Sequence, residues 1–334
     1  MSTHHVPEAD KRHIATGRAH GKIIMLGEHA AVYGAPALAL PVPALGCQAT
    51  VSHLDRPGRG PLRLCRAVSV ADGPAEKTEE SAPEGLRLLV DAFARRAGLA
   101  EPPGLEVLVE SGVPPARGLG SSAATARALV HALDRLFEAG LSSREVFELV
   151  QVSERSAHGR ASGIDALAVG GTGPVLLADG RGSTPPVGSE CHVVVADSGS
   201  GCGTREAVAM LGAAFAQAPG RRADFLDRST ELTRAALGDL ENGRLPGLGR
   251  RLTDGHEMLA GLGLTTNRTD ALVQAALAAG ALGAKMTGGG LGGCVIALTA
   301  TPHEADAVAG RLAREHGVHT WTVPVAKGAG DDGF

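Results

Sequence analysis

Short apolar runs and amphipathic stretches follow one another through the first half of the chain. Residues 21–26, GKIIML, predict a buried strand, and a second apolar run follows a loop within residues 27–42. Residues 51–84 alternate only weakly between apolar and polar positions, and they contain many glycines, prolines and charged residues. This pattern predicts one or two strands and a surface loop. Apolar positions recur at helical spacing in residues 84–99 and at every second position in residues 105–114. The first half therefore mixes strands with helices.

Two further helices are predicted in succession after that strand. Residues 121–139 are rich in Ala and Leu and stop before Gly140, as a helix does. Residues 142–159 form the second, with Ser142 or Ser143 as the N-cap and Glu145 in the first turn. Residues 170–181 predict a strand and a turn.

The turn-rich stretch at residues 183–190 predicts a domain boundary near residue 185. The predicted division is a disordered tail over 1–15, an N-terminal domain over 16–185 and a C-terminal domain over 186–334. In the second half, strands are predicted at 191–197, 293–299 and 320–324, and helices near 204–218, 222–262, 269–279 and 302–315. This order is α+β rather than a uniform βαβ series.

The composition of the chain argues against a nucleic-acid partner. The chain has 334 residues, 43% hydrophobic and 20% charged, with a net charge of −4. No basic surface for nucleic acid follows from that balance. Aromatic residues make up only 2%, which leaves few stacking platforms for single strands. We expect no nucleic-acid partner.

The cysteines and the termini favour a cytoplasmic protein with no membrane partner. The five cysteines are scattered without CxxC spacing, so we expect reduced thiols. No apolar segment approaches the ~18–20 residues needed to span a bilayer. The polar start, MSTHHVPEADKRH, lacks the apolar core of a signal peptide.

The stretch PARGLGSSAAT, residues 115–125, has the features of an anion site. Gly118 and Gly120 permit unusual backbone shapes and close approach. The helix predicted from Ser121 would aim its free N–H groups and positive dipole end outward. Ser121 and Ser122 add hydroxyls that can bind phosphate oxygens or Mg²⁺, or simply cap the helix. Taken alone, this stretch favours an ordinary Gly-Ser cap.

Familiar nucleotide and hydrolase motifs do not fit the chain. A Walker A loop needs GxxxxGK[ST], whereas the only GK pair, Gly21–Lys22, precedes Ile23. A nucleophile elbow, GxSxG, is also absent. TGGGLGGCVIALTA, residues 287–300, runs from glycines into an apolar strand, unlike a Rossmann fingerprint. Glycine at that density indicates backbone packed against a ligand or other backbone.

Three separated stretches resemble, in order and spacing, the signature motifs of the GHMP kinases. They are GRAHGKIIMLGEHAAVYG (17–34), PPARGLGSSAA (114–124) and KMTGGGLGGC (285–294). Among the branches of that superfamily, the chain resembles the mevalonate kinases most. SERSAHGRASGIDA (153–166) and ADSGSGCGTREAV (196–208) carry that similarity, which covers roughly residues 17–325. The resemblance is weakest over 55–85.

The resemblance implies a fold that periodicity alone does not predict. It implies the GHMP kinase fold: an N-terminal ribosomal-protein-like α/β domain with a left-handed βαβ crossover, and a C-terminal ferredoxin-like domain. The active site would lie in the cleft between them.

The resemblance also implies roles for individual residues. Asp165 matches the catalytic base that faces the substrate hydroxyl, and Lys22 the lysine beside it. Glu154 and Ser122 match the Mg²⁺ ligands. The residues implied to contact ATP are Pro115, Arg117, Gly118, Leu119, Gly120, Ser121, Ser122 and Ala123.

Substrate contacts are implied at Glu28, His29, Thr204, Gly288 and Gly289. His29 and Thr204 are the candidates for anchoring a substrate carboxylate. The chain departs from the family pattern at Arg205, where Lys is usual, and at Leu291, where Gly is common. Leu291 puts the fine geometry of the third loop in question, not the overall assignment.

The implied activity is ATP- and Mg²⁺-dependent phosphorylation of the 5-hydroxyl of mevalonate in the cytoplasm. Two alternatives stay open at this point: a sister kinase for phosphomevalonate, homoserine or a sugar, and a non-catalytic nucleotide-binding regulator. The motifs offer no extra basic cluster for a phosphorylated substrate. Lys22, Glu154 and Asp165 are all present, which disfavours a regulator. A homodimer is the assembly that the resemblance suggests.

Overall fold

Strands and helices both build the protein, as the α+β prediction requires. The structure, a computed structural model, describes residues 14–54, 62–68, 76–201 and 204–330. The strands are β1 (Ile14–Leu26), β2 (Ala37–His53), β3 (Leu62–Val68), β4 (Glu76–Ser81), β5 (Leu105–Ser111), β6 (Val175–Ala178), β7 (Arg181–Ser183), β8 (Cys191–Asp197), β9 (Gly283–Thr287), β10 (Cys294–Thr299) and β11 (Thr320–Val325). The helices are α1 (Glu84–Arg96), α2 (Ser121–Phe137), α3 (Ser143–His158), α4 (Ile164–Ala168), α5 (Thr204–Gln217), α6 (Pro219–Glu241), α7 (Leu245–Ala260), α8 (Asn267–Ala278) and α9 (Pro302–His316). A 3-10 helix spans Ala31–Tyr33.

A seven-stranded sheet organises the first half. Six of its strands lie in the order β4-β3-β5-β2-β6-β7. The seventh, β1, pairs with β2. The β3/β5 pair is parallel and the other pairs are antiparallel. The β1/β2 register shifts after His20 and again after Ile24. The C-terminal half of β1 is buried at every position from Gly21 to Leu26, so it reaches the interior with Lys22 on it.

The helices of the first half form where their caps and apolar faces predict. Ser142 and Glu145 form a capping box at the start of α3, which confirms Ser142 as the N-cap. Helix α2 packs on β1 and β2, and α1 packs on α3. The apolar positions of α1 include Leu86, Leu89 and Phe93, all buried, as their helical spacing predicts.

A four-stranded antiparallel sheet organises the second half, in the order β11-β8-β10-β9. Every residue of β9 and β10 is buried. Because successive side chains of a strand point to opposite faces, both faces of these strands are covered. Helices α8 and α9 pack on this sheet, and α7 packs on β9.

Several element predictions need correction. The long helix predicted over 222–262 is two helices, α6 and α7, because Gly243 takes a left-handed φ of 67° between them. Pattern reading missed α4 and β9, which are only five residues each. Most of the predicted disordered tail over 1–15 lies outside the described residues, and its last two residues, Ile14 and Ala15, belong to β1. The strands of the first sheet end at Ser183, and those of the second begin at Cys191. The division into domains near residue 185 stays a prediction.

The two halves share buried apolar surface. One core cluster joins residues of both sheets, and a second packs Ala30 against Phe215, Phe225 and Met286 from the other half. Burying apolar surface between the two halves stabilises their contact by a free energy of roughly 25 cal/mol per Å². Of the helices in the described ranges, none is both long enough and apolar enough to cross a bilayer.

Candidate active site

The signature stretches meet at one cavity of about 340 Å³. Its wall combines the end of β1, the loop before α2, the loop between α3 and α4, and the glycine loop after β9. Of the residues predicted for the site, those in the wall are Lys22, Glu28, His29, Arg117, Gly118, Leu119, Gly120, Ser121, Ser122, Ala123, Glu154, Asp165, Gly288 and Gly289. Residues up to 267 positions apart along the chain, Lys22 and Gly289, thus share one site.

One predicted site residue is not in the wall, and the side chain of another lies outside the described part of the structure. Pro115 is not part of it, although its neighbours Pro114 and Ala116 are. Thr204 is the first residue of α5, and its side chain lies outside the described part of the structure. The roles suggested for these two residues, like those of the residues in the wall, stay predictions.

The loop before α2 presents backbone donors to the cavity. Gly118 and Gly120 both take left-handed φ values, 77° and 76°. Gly120 is the N-cap of α2, and no side chain caps the first turn. The N–H groups of the first turn therefore have no side-chain cap. They can bind an anion at the positive end of the helix dipole.

Glycine lets this loop pack directly on the loop after β9. A Cβ on Gly118 would lie 2.8 Å from the Thr287 carbonyl oxygen, and a Cβ on Gly288 would lie 2.6 Å from the Gly118 Cα. Real side chains do not approach so closely. The two glycine loops therefore touch backbone to backbone, which brings the first half against the second at the cavity.

Lys22 and Asp165 form an ion pair inside the cavity. Lys22 Nζ lies 3.0 Å from Asp165 Oδ1, with exposed fractions of 3% and 34% for the two side chains. Strand β1 carries the lysine, and the first turn of the short helix α4 carries the aspartate. A buried ammonium is thus compensated by a carboxylate that still reaches the open cavity, a suitable arrangement for accepting a proton there.

Glu154 and Ser122 bring two oxygen ligands together beside this pair. Glu154 is 3% exposed, and burial, followed by the nearby charge of Asp165, raises its pKa to about 7. The Ser122 hydroxyl donates a hydrogen bond to Glu154, which together with Lys22 opposes the rise. A buried carboxylate beside a second carboxylate is stabilised by a cation, and hard oxygen donors suit Mg²⁺. The donor set fits that ion.

Comparison with known proteins identifies the family. The sequence matches the GHMP kinases N terminal domain over residues 86–172 and the GHMP kinases C terminal domain over residues 236–319. A mevalonate kinase from Aeropyrum pernix is 34% identical over 299 residues, which cover 86% of this chain and 89% of the relative. The chain belongs to the GHMP kinase family. Its α+β fold is the fold of these kinases.

Solved structures of GHMP kinases share the fold but do not separate substrates. The L. major mevalonate kinase in complex with R-mevalonate aligns with a TM-score of 0.72 and 24% identity, covering 98% of this chain and 100% of the other. A Streptococcus pneumoniae phosphomevalonate kinase in complex with phosphomevalonate and AMPPNP aligns as well, with a TM-score of 0.73 and 19% identity over 93% of this chain and 99% of the other. Sequence similarity to the curated mevalonate kinases therefore carries more weight than fold for the choice of substrate.

A buried ion pair that sequence reasoning missed joins Glu28, in the wall of the kinase cavity, to Lys285. Lys285 of β9 is fully buried and donates hydrogen bonds to Glu28 Oε1 and, at 2.6 Å, to the Met286 carbonyl. Burial raises the pKa of Glu28 and lowers that of Lys285, while each charge opposes the shift of the other. The sequence contained one signal for this residue, since it is one of five lysines in a chain whose Lys and Arg total 32.

His29 and Thr287 tie the first signature loop of the kinase to the third. His29 Nε2 donates to the Gly289 carbonyl at 3.0 Å, which fixes its tautomer. Burial lowers the pKa of His29 to about 4, so the imidazole is neutral near pH 7. The Thr287 hydroxyl accepts from the Ile24 N–H at 2.8 Å and donates to the Ile24 carbonyl at 2.9 Å. These hydrogen bonds join the two halves of the molecule at the cleft.

Proposed function

We propose that the protein transfers the γ-phosphoryl group of ATP to the 5-hydroxyl of (R)-mevalonate, giving 5-phosphomevalonate and ADP in isoprenoid precursor synthesis. The observation that carries the proposal is the Lys22–Asp165 ion pair beside the uncapped N-terminus of α2. It supplies a proton acceptor next to a phosphate-binding loop. The choice of mevalonate is supported by the curated mevalonate kinases that this chain resembles over most of its length.

The reaction needs position and charge more than covalent chemistry. Backbone N–H groups of residues 118–122 hold the β- and γ-phosphates at the start of α2. The Asp165 carboxylate accepts the proton of the attacking hydroxyl as its oxygen bonds to the γ-phosphorus. The bond from that phosphorus to the β,γ-bridging oxygen breaks, and ADP leaves with the electron pair. The Lys22 ammonium stabilises the negative charge on the transferred group.

Ser122 and Glu154 would hold Mg²⁺ in this scheme. When bound, the ion would neutralise part of the phosphate charge. Its two protein ligands would come from α2, which follows the phosphate loop, and from α3. The Ser122 hydroxyl donates a hydrogen bond to Glu154, and burial, followed by the charge of Asp165, raises the pKa of this carboxyl, so a bound cation would stabilise its ionised form.

Location and assembly belong to the same proposal. Three buried cysteines, Cys47, Cys191 and Cys294, are thiols and not disulfides, which is compatible with the reducing cytoplasm. Burial raises the pKa of Cys191 to about 12, so this thiol stays protonated and unreactive. We propose a cytoplasmic enzyme, with a homodimer as its predicted assembly.

A panel of acceptors tests the function. Purified protein with ATP and Mg²⁺ is given mevalonate, phosphomevalonate or homoserine, and ADP release is followed with a coupled assay. We expect acceptor-dependent ADP release with mevalonate alone. Turnover of phosphomevalonate or homoserine in its place would retain the kinase chemistry and remove the substrate assignment. ADP release independent of every acceptor would indicate an ATPase and contradict the proposal.

A further inference from the structure

The cavity wall contains three cationic side chains within the described residues, Lys22, Arg117 and Arg160. Lys22 is paired with Asp165. Arg117 Nε lies 3.1 Å from Asp197 Oδ1, and a terminal nitrogen of Arg117 donates to the Gly199 carbonyl at 3.0 Å. For Arg160 the described residues provide no ion pair and no hydrogen bond. Among the wall residues that the structure describes, Arg160 is therefore the cation that no carboxylate of the protein pairs with.

The chain positions Arg160 from both ends of its loop. The residue lies between α3, which carries Glu154, and α4, which carries Asp165. Gly163 closes the loop with a φ of 102°, and a Cβ there would lie 3.0 Å from the Phe147 ring. Arg160 is thus tied closely in sequence to both the proposed metal ligand and the proposed base.

An aromatic ring supports the Arg160 guanidinium. Its Cζ lies 6.0 Å from the centre of the Tyr33 ring, at the end of the 3-10 helix that follows Glu28 and His29. An arginine over an aromatic face keeps its fork of donors free at the edge. Tyr33 also packs edge-on against Phe215 of α5, with ring centres 6.3 Å apart. The ring is therefore held by the second half of the molecule.

We propose that Arg160 binds the carboxylate of the acceptor and thereby selects acidic acceptors at this site. Because the acceptor follows from the proposed function, this role rests on that function. Mevalonate carries its carboxylate and its reacting hydroxyl at opposite ends of the carbon chain. An anchor at Arg160 would hold one end while Asp165 receives the other. A guanidinium matches a carboxylate with two parallel hydrogen bonds.

His29 is a weaker anchor for the same carboxylate. Its Nε2 hydrogen already goes to the Gly289 carbonyl, and its lowered pKa leaves the ring uncharged near neutral pH. A neutral ring whose donor is used cannot compensate a carboxylate. The predicted role of His29 at the carboxylate therefore passes to Arg160, while His29 orients the glycine loop.

ATP phosphate is the other anion that Arg160 can meet in this cavity, and the two sources predict different kinetics. The test compares Arg160→Gln with a matched control, Arg222→Gln. Arg222 of α6 also lies 6.0 Å from the Tyr33 ring but is not part of the cavity wall. Each protein is assayed with mevalonate and with 3-methylpentane-1,3,5-triol, which keeps the hydroxyl and lacks the carboxylate.

We expect Arg160→Gln to raise the KM for mevalonate by about 10- to 100-fold, the loss of one charge-assisted contact. The KM for ATP should not change, and kcat/KM for the triol should match that of the wild type. Arg222→Gln should change the KM for mevalonate by less than about threefold, the scale of an exposed charge. Unfolding midpoints identify any loss that comes from misfolding.

Three results would overturn the role of Arg160. One is an unchanged KM for mevalonate in Arg160→Gln. Another is an equal loss with mevalonate and the triol together with a raised KM for ATP, which would assign the guanidinium to phosphate. The third is an equal effect of Arg222→Gln, which would indicate a general positive field. A wild type that does not phosphorylate mevalonate would remove the proposed function itself, a separate result.

Discussion

At the residue scale, burial gives neighbouring polar side chains of the cleft different charges. Glu154 and Glu28 are both buried carboxyls with raised pKa values, but Glu28 has Lys285 as a direct partner and Glu154 has the Ser122 hydroxyl. His29, next to Glu28 in the chain, is neutral because burial disfavours its charged form. One short segment thus contains a charge compensated by Lys285 beside a neutral ring whose N–H goes to the Gly289 carbonyl.

The pKa of His29 predicts a specific acid sensitivity. The folded-state pKa, about 4, lies below the usual 6.5, so the unfolded state binds more protons between these values. Stability from the neutral imidazole is present above pH 6.5 and is lost as the pH falls toward 4. We compare the unfolding free energy of the wild type with that of His29→Gln. The wild-type value minus the variant value should fall by about 3 kcal/mol as the pH is lowered from 6.5 to about 4.

Denaturant titrations of both proteins at several pH values measure this difference. Glu28 and Lys285 titrate in both proteins, so their contributions cancel to first order. A difference that does not change between pH 7 and pH 4 would show that His29 is not buried as described.

Sequence reasoning reached Lys22, Asp165, Glu154 and Ser122 because each lies in a motif with fixed spacing. It did not reach the Glu28–Lys285 pair, whose partners are 257 positions apart in the chain. Local pattern carries no information about a contact between β9 and the loop after β1. Arg160 was missed for a different reason, since a lone arginine in a loop resembles any solvent-exposed residue until a cavity is seen beside it.

At the element scale, two glycine loops and a short helix set the geometry of the site. The loop before α2 and the loop after β9 touch through backbone, and α4 presents Asp165 from its first turn. The sequence predicted both glycine loops from residue density alone. It missed α4, because five residues are too few to show a helical period, and it merged α6 with α7, because helical periodicity continues on both sides of the break.

The contact between the glycine loops predicts the effect of one added methyl group. In Gly118→Ala the new Cβ would meet the Thr287 carbonyl oxygen at 2.8 Å, so the phosphate loop has to move. A displacement near 1 Å in a catalytic loop costs about 10²-fold in rate. We expect kcat/KM for ATP to fall by about that factor.

Gly98→Ala is the matched control for this substitution. Gly98 has a similar φ of 69°, and a Cβ there would meet nothing within 4 Å. It should cost about 1 kcal/mol of stability for the left-handed backbone and leave kcat/KM unchanged. Equal activity of the two variants would contradict the description of the loop contact.

At the scale of the whole molecule, the site exists only where the two halves meet. The first half supplies the phosphate loop, Lys22, Glu154 and Asp165, and the second supplies Lys285, Thr287 and the glycine loop. Shared apolar core and buried polar contacts join the halves at this seam. Alternation of strands and helices predicted an α+β chain, but the arrangement of two sheets around one cleft followed only from the resemblance to GHMP kinases.

The central claim is that this cleft transfers a phosphoryl group with Asp165 as the proton acceptor. The most direct measurement is kcat of Asp165→Asn with ATP, Mg²⁺ and mevalonate, together with the Kd for ATP and the unfolding midpoint. We expect kcat to fall by about 10²- to 10⁴-fold, the usual contribution of a general base, with ATP binding retained. A folded variant that turns over mevalonate at the wild-type rate would contradict it.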